Sequence, residues 1–233
     1  MLGIMKFSGA FSLFAATWLA AAWLAVGTPA HAAARCPQSD AGPDISLEVT
    51  TGRVVYDNAR SRKQLKVLQN NGKISSSRRG WQPIGLTLTE LQFRMNISVN
   101  TLSQPGGGNC AVISGVKARL GFGKITVYVD KRYRRGSCQY NSVLEHENEH
   151  VEIFRETLDQ YATLVEDRLI EAAANLKPVF AKTAQHAAQK LQNTLQSKVE
   201  PMFKKMNQAI DRKNDTIDTP ANYKREQKRC PKW

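Results

Sequence analysis

The stretch Ser142-Val143-Leu144-Glu145-His146-Glu147-Asn148-Glu149-His150-Val151-Glu152-Ile153 sets the reading of the whole chain. Neither glycine nor proline occurs from 137 to 177, and the apolar residues of that window fall at helical spacing, which predicts a long helix. Ser142 with Glu145 three residues later has the pattern of a capping box, so the helix is expected to start just before the motif. Within it stands His-Glu-x-x-His. On a helix, His146 and His150 are one turn apart on the same face, so two imidazoles can reach one metal ion. Glu147 lies beside them, where it can take a proton from a water on that metal. Composition alone would produce such a match by chance in roughly 0.3% of chains like this one, so the motif is read as a site.

Helical geometry sharpens the assignment. With His146 at the origin and about 100° per residue, His150 falls near about 40° and Glu147 near about 100°. Val143, Val151, Phe154, Leu158, Tyr161 and Val165 cluster around the same direction, which makes it the core-facing stripe. Glu147 is therefore expected at the centre of that stripe. Glu145, Glu149, Glu152, Glu156 and Asp159 fall on the opposite side and read as ordinary solvated surface. A buried glutamate is costly without a partner or a task, so Glu147 is the candidate general base, with His146 and His150 as candidate metal ligands.

Upstream of the motif the pattern is one of strands. Ile45–Val49, Arg53–Tyr56, Leu91–Val99, Ala111–Arg119 and Lys124–Asp130 alternate or are rich in β-branched residues, and turn residues separate them. A short helix is expected at Ser61–Leu68, capped by Asn58 or Asp57, and Ser103-Gln104-Pro105-Gly106-Gly107-Gly108 reads as a loop. Downstream, a second helical run is expected from about Val179 to Asp211, interrupted at Pro201. The last twenty residues read as irregular until Cys230 pins them. The fold class is thus α+β: a short mixed or antiparallel sheet, then the His-Glu-x-x-His helix, then a long C-terminal helical extension.

The first thirty-two residues read as an address. Lys6 precedes an apolar run from Phe11 to Val26, and Ala30-His31-Ala32 supplies the small-x-small pattern of a signal peptidase site, so a cleaved signal peptide is expected. The other reading is an uncleaved N-terminal anchor. The organisation is then 1–32 signal peptide, 33–173 α+β domain, and 174–233 helical extension with a basic tail, placing the mature chain in the periplasm or outside the cell. Four cysteines, Cys36, Cys110, Cys138 and Cys230, have no C-x-x-C spacing, so disulfides are favoured over a zinc ribbon or free buried thiols. The expected pairs are Cys110–Cys138, flanking a strand pair, and Cys36–Cys230, joining the chain ends.

Charge divides the chain. With 33 Lys+Arg against 20 Asp+Glu the net charge is +13, yet residues 145–171 carry 9 acidic and 2 basic side chains. Arg60-Ser61-Arg62-Lys63, Arg78-Arg79 and Lys131-Arg132-Tyr133-Arg134-Arg135 could meet an anionic envelope surface, or form a solvated basic face. No nucleic-acid fold signature accompanies them, so no specific nucleic-acid partner is expected. The single long apolar run excludes a polytopic membrane protein, and no integral span is expected in the mature chain.

The run from Val143 to Ile153 resembles the active helix of zincin metallopeptidases. It is similar in particular to a bacterial family of predicted secreted zinc-dependent proteases, in which a short mixed sheet precedes the motif helix and a cysteine stands shortly upstream, as Cys138 does here. The resemblance covers roughly residues 45–165. It implies Zn2+, His146 and His150 as ligands, Glu147 as general base, and a peptide or protein substrate. The chain departs from the better-known clans: Ile153 and Glu156 stand where a metzincin would have glycine and histidine. Glu166 and Glu171 have the sequence spacing of a gluzincin ligand, but an unbroken helix carries Glu166 about 24 Å beyond His150. If the chain reverses near Asn175–Pro178, residues 200–208 return opposite the motif, which makes Glu200 the candidate third ligand. Its other reading is a solvated residue beside the Pro201 kink. The function expected is zinc-dependent peptide-bond hydrolysis; the alternative is a non-enzymatic envelope-binding module with structural or absent metal.

Overall fold

The computed structural model describes residues 36, 41–71 and 82–233. The expected signal peptide and Arg78-Arg79 lie outside the described residues. Along the chain come β1 (Asp44–Thr50), β2 (Arg53–Asp57), α1 (Arg62–Asn71), β3 (Gly85–Ser103), β4 (Asn109–Val129), α2 (Cys138–Ala174), β5 (Val179–Ala181), α3 (Ala184–Ile217) and α4 (Pro220–Lys228). The class is α+β.

One long strand organises the sheet. β3 runs antiparallel along one edge of β4, from Gly85 opposite Val129 to Ser103 opposite Asn109. Along the other edge three short strands lie end to end: β5 against 109–111, β1 against 115–121 and β2 against 124–128. β1 and β2 are parallel to β4 while β3 and β5 are antiparallel, so the sheet is mixed. β4 replaces the two strands expected at Ala111–Arg119 and Lys124–Asp130. Gly121 and Gly123 read as a turn in sequence, but the chain passes through them extended. At Gly121, with φ +149°, a Cβ would run into the backbone of Thr50, so the missing side chain lets two strands approach instead of ending one.

The helices lie against this sheet and share its core. Leu120, Phe122, Ile125 and Val127 of β4 pack with Val151, Phe154 and Leu158 of α2 and with Leu195, Val199 and Met206 of α3. α3 runs back along α2: Arg168 Nε donates to Lys198 O at 3.1 Å, Tyr161 Oη to Lys205 O at 3.2 Å, and Lys213 Nζ to Gln160 Oε1 at 3.3 Å. Pro201 sits inside α3 without ending it. None of the described helices is long and apolar enough to cross a membrane.

Local signals explain several departures from expectation. α2 begins at Cys138, four residues before Ser142, and Ser137 is its cap, accepting from Tyr140 N at 3.2 Å. Ser142 is inside the helix with its hydroxyl buried and unpartnered, and Glu145 pairs with Arg229 at 2.7 Å, so there is no capping box at 142. At α1 the reciprocal bond comes from Ser61, whose N–H donates to Gln64 Oε1 at 2.8 Å. Asn58 is occupied elsewhere, donating to the carbonyls of Val129 and Asp130, and Asp57 accepts from Ala59 N. Helix α4 occupies a stretch expected to be irregular. Thr219 accepts from Asn222 N at 3.2 Å and Pro220 takes the first turn, where its missing N–H costs nothing.

The disulfides are Cys36–Cys110 and Cys138–Cys230, not the expected pairs. The expectation rested on two strands folding back between Cys110 and Cys138. An unbroken β4 instead separates Cys110 from the strand's far end by about 60 Å of extended chain. Cys138, at the start of α2, is bridged to the C-terminal segment after α4.

Candidate metal centre

Three side chains of the motif are buried together near the start of α2. His146, Glu147 and His150 are only 4%, 5% and 8% exposed, and one ligand atom from each falls within 4.8 Å of the others. The acidic residues placed on the opposite face, Glu145, Glu149, Glu152, Glu156 and Asp159, are all exposed. The helical wheel thus separated the one buried acid of this stretch from its surface neighbours.

Glu147 is held by β3. Thr87 Oγ1 lies 2.7 Å from Glu147 Oε2 and 3.0 Å from its backbone oxygen. Gly85 opens β3 directly against the same carboxylate, and a Cβ there would overlap Glu147 Oε1 and Val143 Cγ1. Burial pushes the Glu147 carboxyl above its usual range, against the pull of His150, His146 and the Thr87 hydrogen bond.

The histidines are met from the far end of the chain. Their rings stand edge to face, 4.9 Å apart. His146 Nε2 is 3.1 Å and His150 Nε2 is 3.4 Å from one atom, Asp218 Oδ1. Each Nδ1 points to another partner: His146 to Glu226 Oε1 at 3.0 Å, His150 to Asn214 Oδ1 at 2.9 Å. Tyr223 Oη donates to Asp218 Oδ1, and its ring lies 5.1 Å from that of His146. Asp218 follows the last residue of α3, and Tyr223 and Glu226 stand three apart on α4, on one face.

These carboxylates decide the protonation of the cluster. Burial alone would lower both imidazoles, but Asp218 and Glu226 outweigh it at His146, whose pKa is raised to about 10. His150 is raised as well, burial again opposing the hydrogen bond to Asp218 and the charge of Glu147. Asp218 is held well below the usual carboxylate range by both histidines, although burial works against it. Burial and the Asp218 charge push the Tyr223 phenol far up, so it stays protonated as a donor.

Glu200 does not join this cluster. It is exposed, and Asn214, which does reach His150, follows it on α3 by fourteen residues, about 21 Å of helix. Residues 200–208 lie opposite the middle of α2, because α2 runs on to Ala174 and β5 intervenes before α3 begins. The register is displaced, and 214–226 face the motif instead. Sequence reasoning missed Asp218, Glu226, Asn214, Tyr223 and Thr87. The usable signal was Thr219-Pro220, a helix start that would have set Tyr223 and Glu226 on one face. Two imidazoles with carboxylates around them form a cluster that could hold a metal ion. No protein-family model, no curated protein and no solved structure matches the chain.

Proposed function

We propose that the chain is an exported zinc-dependent peptidase, similar to the zincins in its motif helix. The observation that carries this is the joint burial of His146, Glu147 and His150 with their ligand atoms within 4.8 Å. Two imidazoles and a carboxylate are expensive to bury together, and groups so perturbed in one place favour a functional site. His146 and His150 would hold the ion through their ring nitrogens. Zinc bound there supplies positive charge that polarises a scissile carbonyl and acidifies water. Glu147 would accept the proton of the attacking water and pass it to the leaving amine. Thr87 keeps its carboxylate aimed while it does so. The two disulfides fit an oxidising compartment, so the periplasm or the external medium is the proposed location.

The test is a pair of glutamine variants in the mature chain. The wild type should carry about one zinc and cleave an unstructured protein substrate. Glu147→Gln should keep the metal and lose activity by a factor of about 10² or more, while Glu149→Gln on the exposed face changes little. Equal activity of wild type and Glu147→Gln would refute the peptidase reading.

One observation favours the binding-module reading. Two distant basic segments meet where Lys131 N donates to Arg60 O at 2.8 Å, and Arg62 and Arg132 flank the buried Asp130 at 3.7 and 3.3 Å. Such a face could dock on an anionic envelope surface. Metal-free protein would then bind anionic vesicles, and salt would release it.

A further inference from the structure

Resting on the metal-site reading above, we infer that Asp218 is the third protein ligand of this centre and that Glu226 is the positioning residue for His146. Both Nε2 atoms face the same carboxylate oxygen, at 3.1 and 3.4 Å. With zinc–nitrogen and zinc–oxygen bonds of about 2.0–2.2 Å, neighbouring corners of a tetrahedral site lie about 3.3 Å apart. Asp218 Oδ1 already stands at that separation from each imidazole.

The outer nitrogens support the same assignment. A ligating histidine gives one ring nitrogen to the metal and the other to a carboxylate, carbonyl or similar acceptor, which fixes the ring. Here each Nδ1 is occupied, His146 by Glu226 at 3.0 Å and His150 by Asn214 at 2.9 Å, while both Nε2 face Asp218 Oδ1. Asp218 is also the most open member of the set: its side chain is 35% exposed, against 5% and 11% for the two histidines. Three protein ligands leave a fourth position, and the solvent-accessible side at Asp218 is where a substrate carbonyl or water would enter.

Asp218 is placed by its setting at the junction of the last two helices. Its N–H donates to Asn214 O at 2.9 Å, closing α3, and Tyr223 Oη donates to its carboxylate. Thr219 then caps α4, which returns Glu226 to His146. A single turn thus supplies one ligand and one orienting carboxylate to the two histidines.

The experiment is zinc affinity of the full mature chain, measured by competition with a chromophoric chelator, together with the visible spectrum of the Co2+ form. Asp218→Ala should weaken zinc by about a hundredfold or more and shift the cobalt bands, since a two-histidine site binds poorly. Asp218→Asn keeps the size of the side chain and covers the case in which the alanine variant does not fold. Glu226→Gln, which retains an acceptor, should weaken zinc by about tenfold, and Glu226→Ala by up to about a hundredfold, both with cobalt bands close to wild type. The exposed Asp215→Ala should match wild type. If wild type binds zinc and both Asp218 variants bind it as tightly, the ligand assignment is overturned while the metal site stands. Unchanged affinity in both Glu226 variants overturns the positioning role. If wild type binds no zinc, the metal-site reading itself fails and this inference falls with it.

Discussion

Glu147 owes its place to two small features of β3 sixty residues away. Gly85 leaves room for the carboxylate, and Thr87 supplies the hydroxyl that meets it. Thr87→Val keeps the shape and removes the donor, so the buried carboxylate loses a partner at a cost of about 1–3 kcal/mol. We expect that variant to retain zinc, to melt lower, and to lose most of its hydrolytic rate, because the base is no longer aimed. Normal kcat/KM in Thr87→Val would show that the hydroxyl serves packing alone. The wheel made the burial of Glu147 and the exposure of Glu145 and Glu149 legible in sequence, since both depend on one helix. Thr87 was not legible, since its contact depends on the pairing of β3 with β4 and on how α2 crosses them.

Helix α4 is also tied down beyond its far end. Cys230 binds it to Cys138, Arg229 pairs with Glu145 at 2.7 Å, and Trp233 packs edge-on against Tyr133 at 5.9 Å. Removing the bridge in a Cys138→Ser/Cys230→Ser variant should loosen Asp218, Tyr223 and Glu226 together, leaving the sheet intact. The expected outcome is faster amide exchange over 218–228, unchanged protection in β4, and weaker zinc binding. Protection that falls equally in β4 would mean that the bridge supports the whole fold. Element existence was the legible part: β1, β2, α1 and α2 all stand where the periodicity placed them. Connections were not. Gly121 and Gly123 carry a turn signature in sequence, and the strand break it implies is what points to a Cys110–Cys138 pair. Polar α4 has little apolar periodicity, so only its Thr-Pro start could reveal it.

Across the whole molecule, the mixed sheet and the helix pair were readable as a class, while the position of Asp218 was not, because it depends on the summed lengths of α2, β5 and α3. The completed centre sets a pH dependence. In metal-free protein His146 titrates near pH 10, against about 6.5 in an unfolded chain, so its stabilising pairing is complete below about pH 6.5 and is lost as pH rises through 10. The depressed Asp218 contributes above the usual carboxylate range and loses its contribution only in acid. On the proposed reading zinc would displace protons from both imidazoles, so its binding should strengthen as pH rises. The difference in Tm between zinc-loaded and metal-free protein should therefore widen from about pH 6 to about pH 9. A difference that narrows over that range would place the metal elsewhere. The cysteine pairing has a temporal consequence too. The loops closed by Cys36–Cys110 and Cys138–Cys230 follow one another without overlap, so a chain crossing a membrane N-terminus first can close each in turn. The motif helix, Cys138–Ala174, precedes Asp218 and Glu226 in the chain by more than forty residues. On the proposed reading the nascent chain travels as inert cargo until residues 218–226 follow the motif helix, and hydrolytic competence arrives only with them.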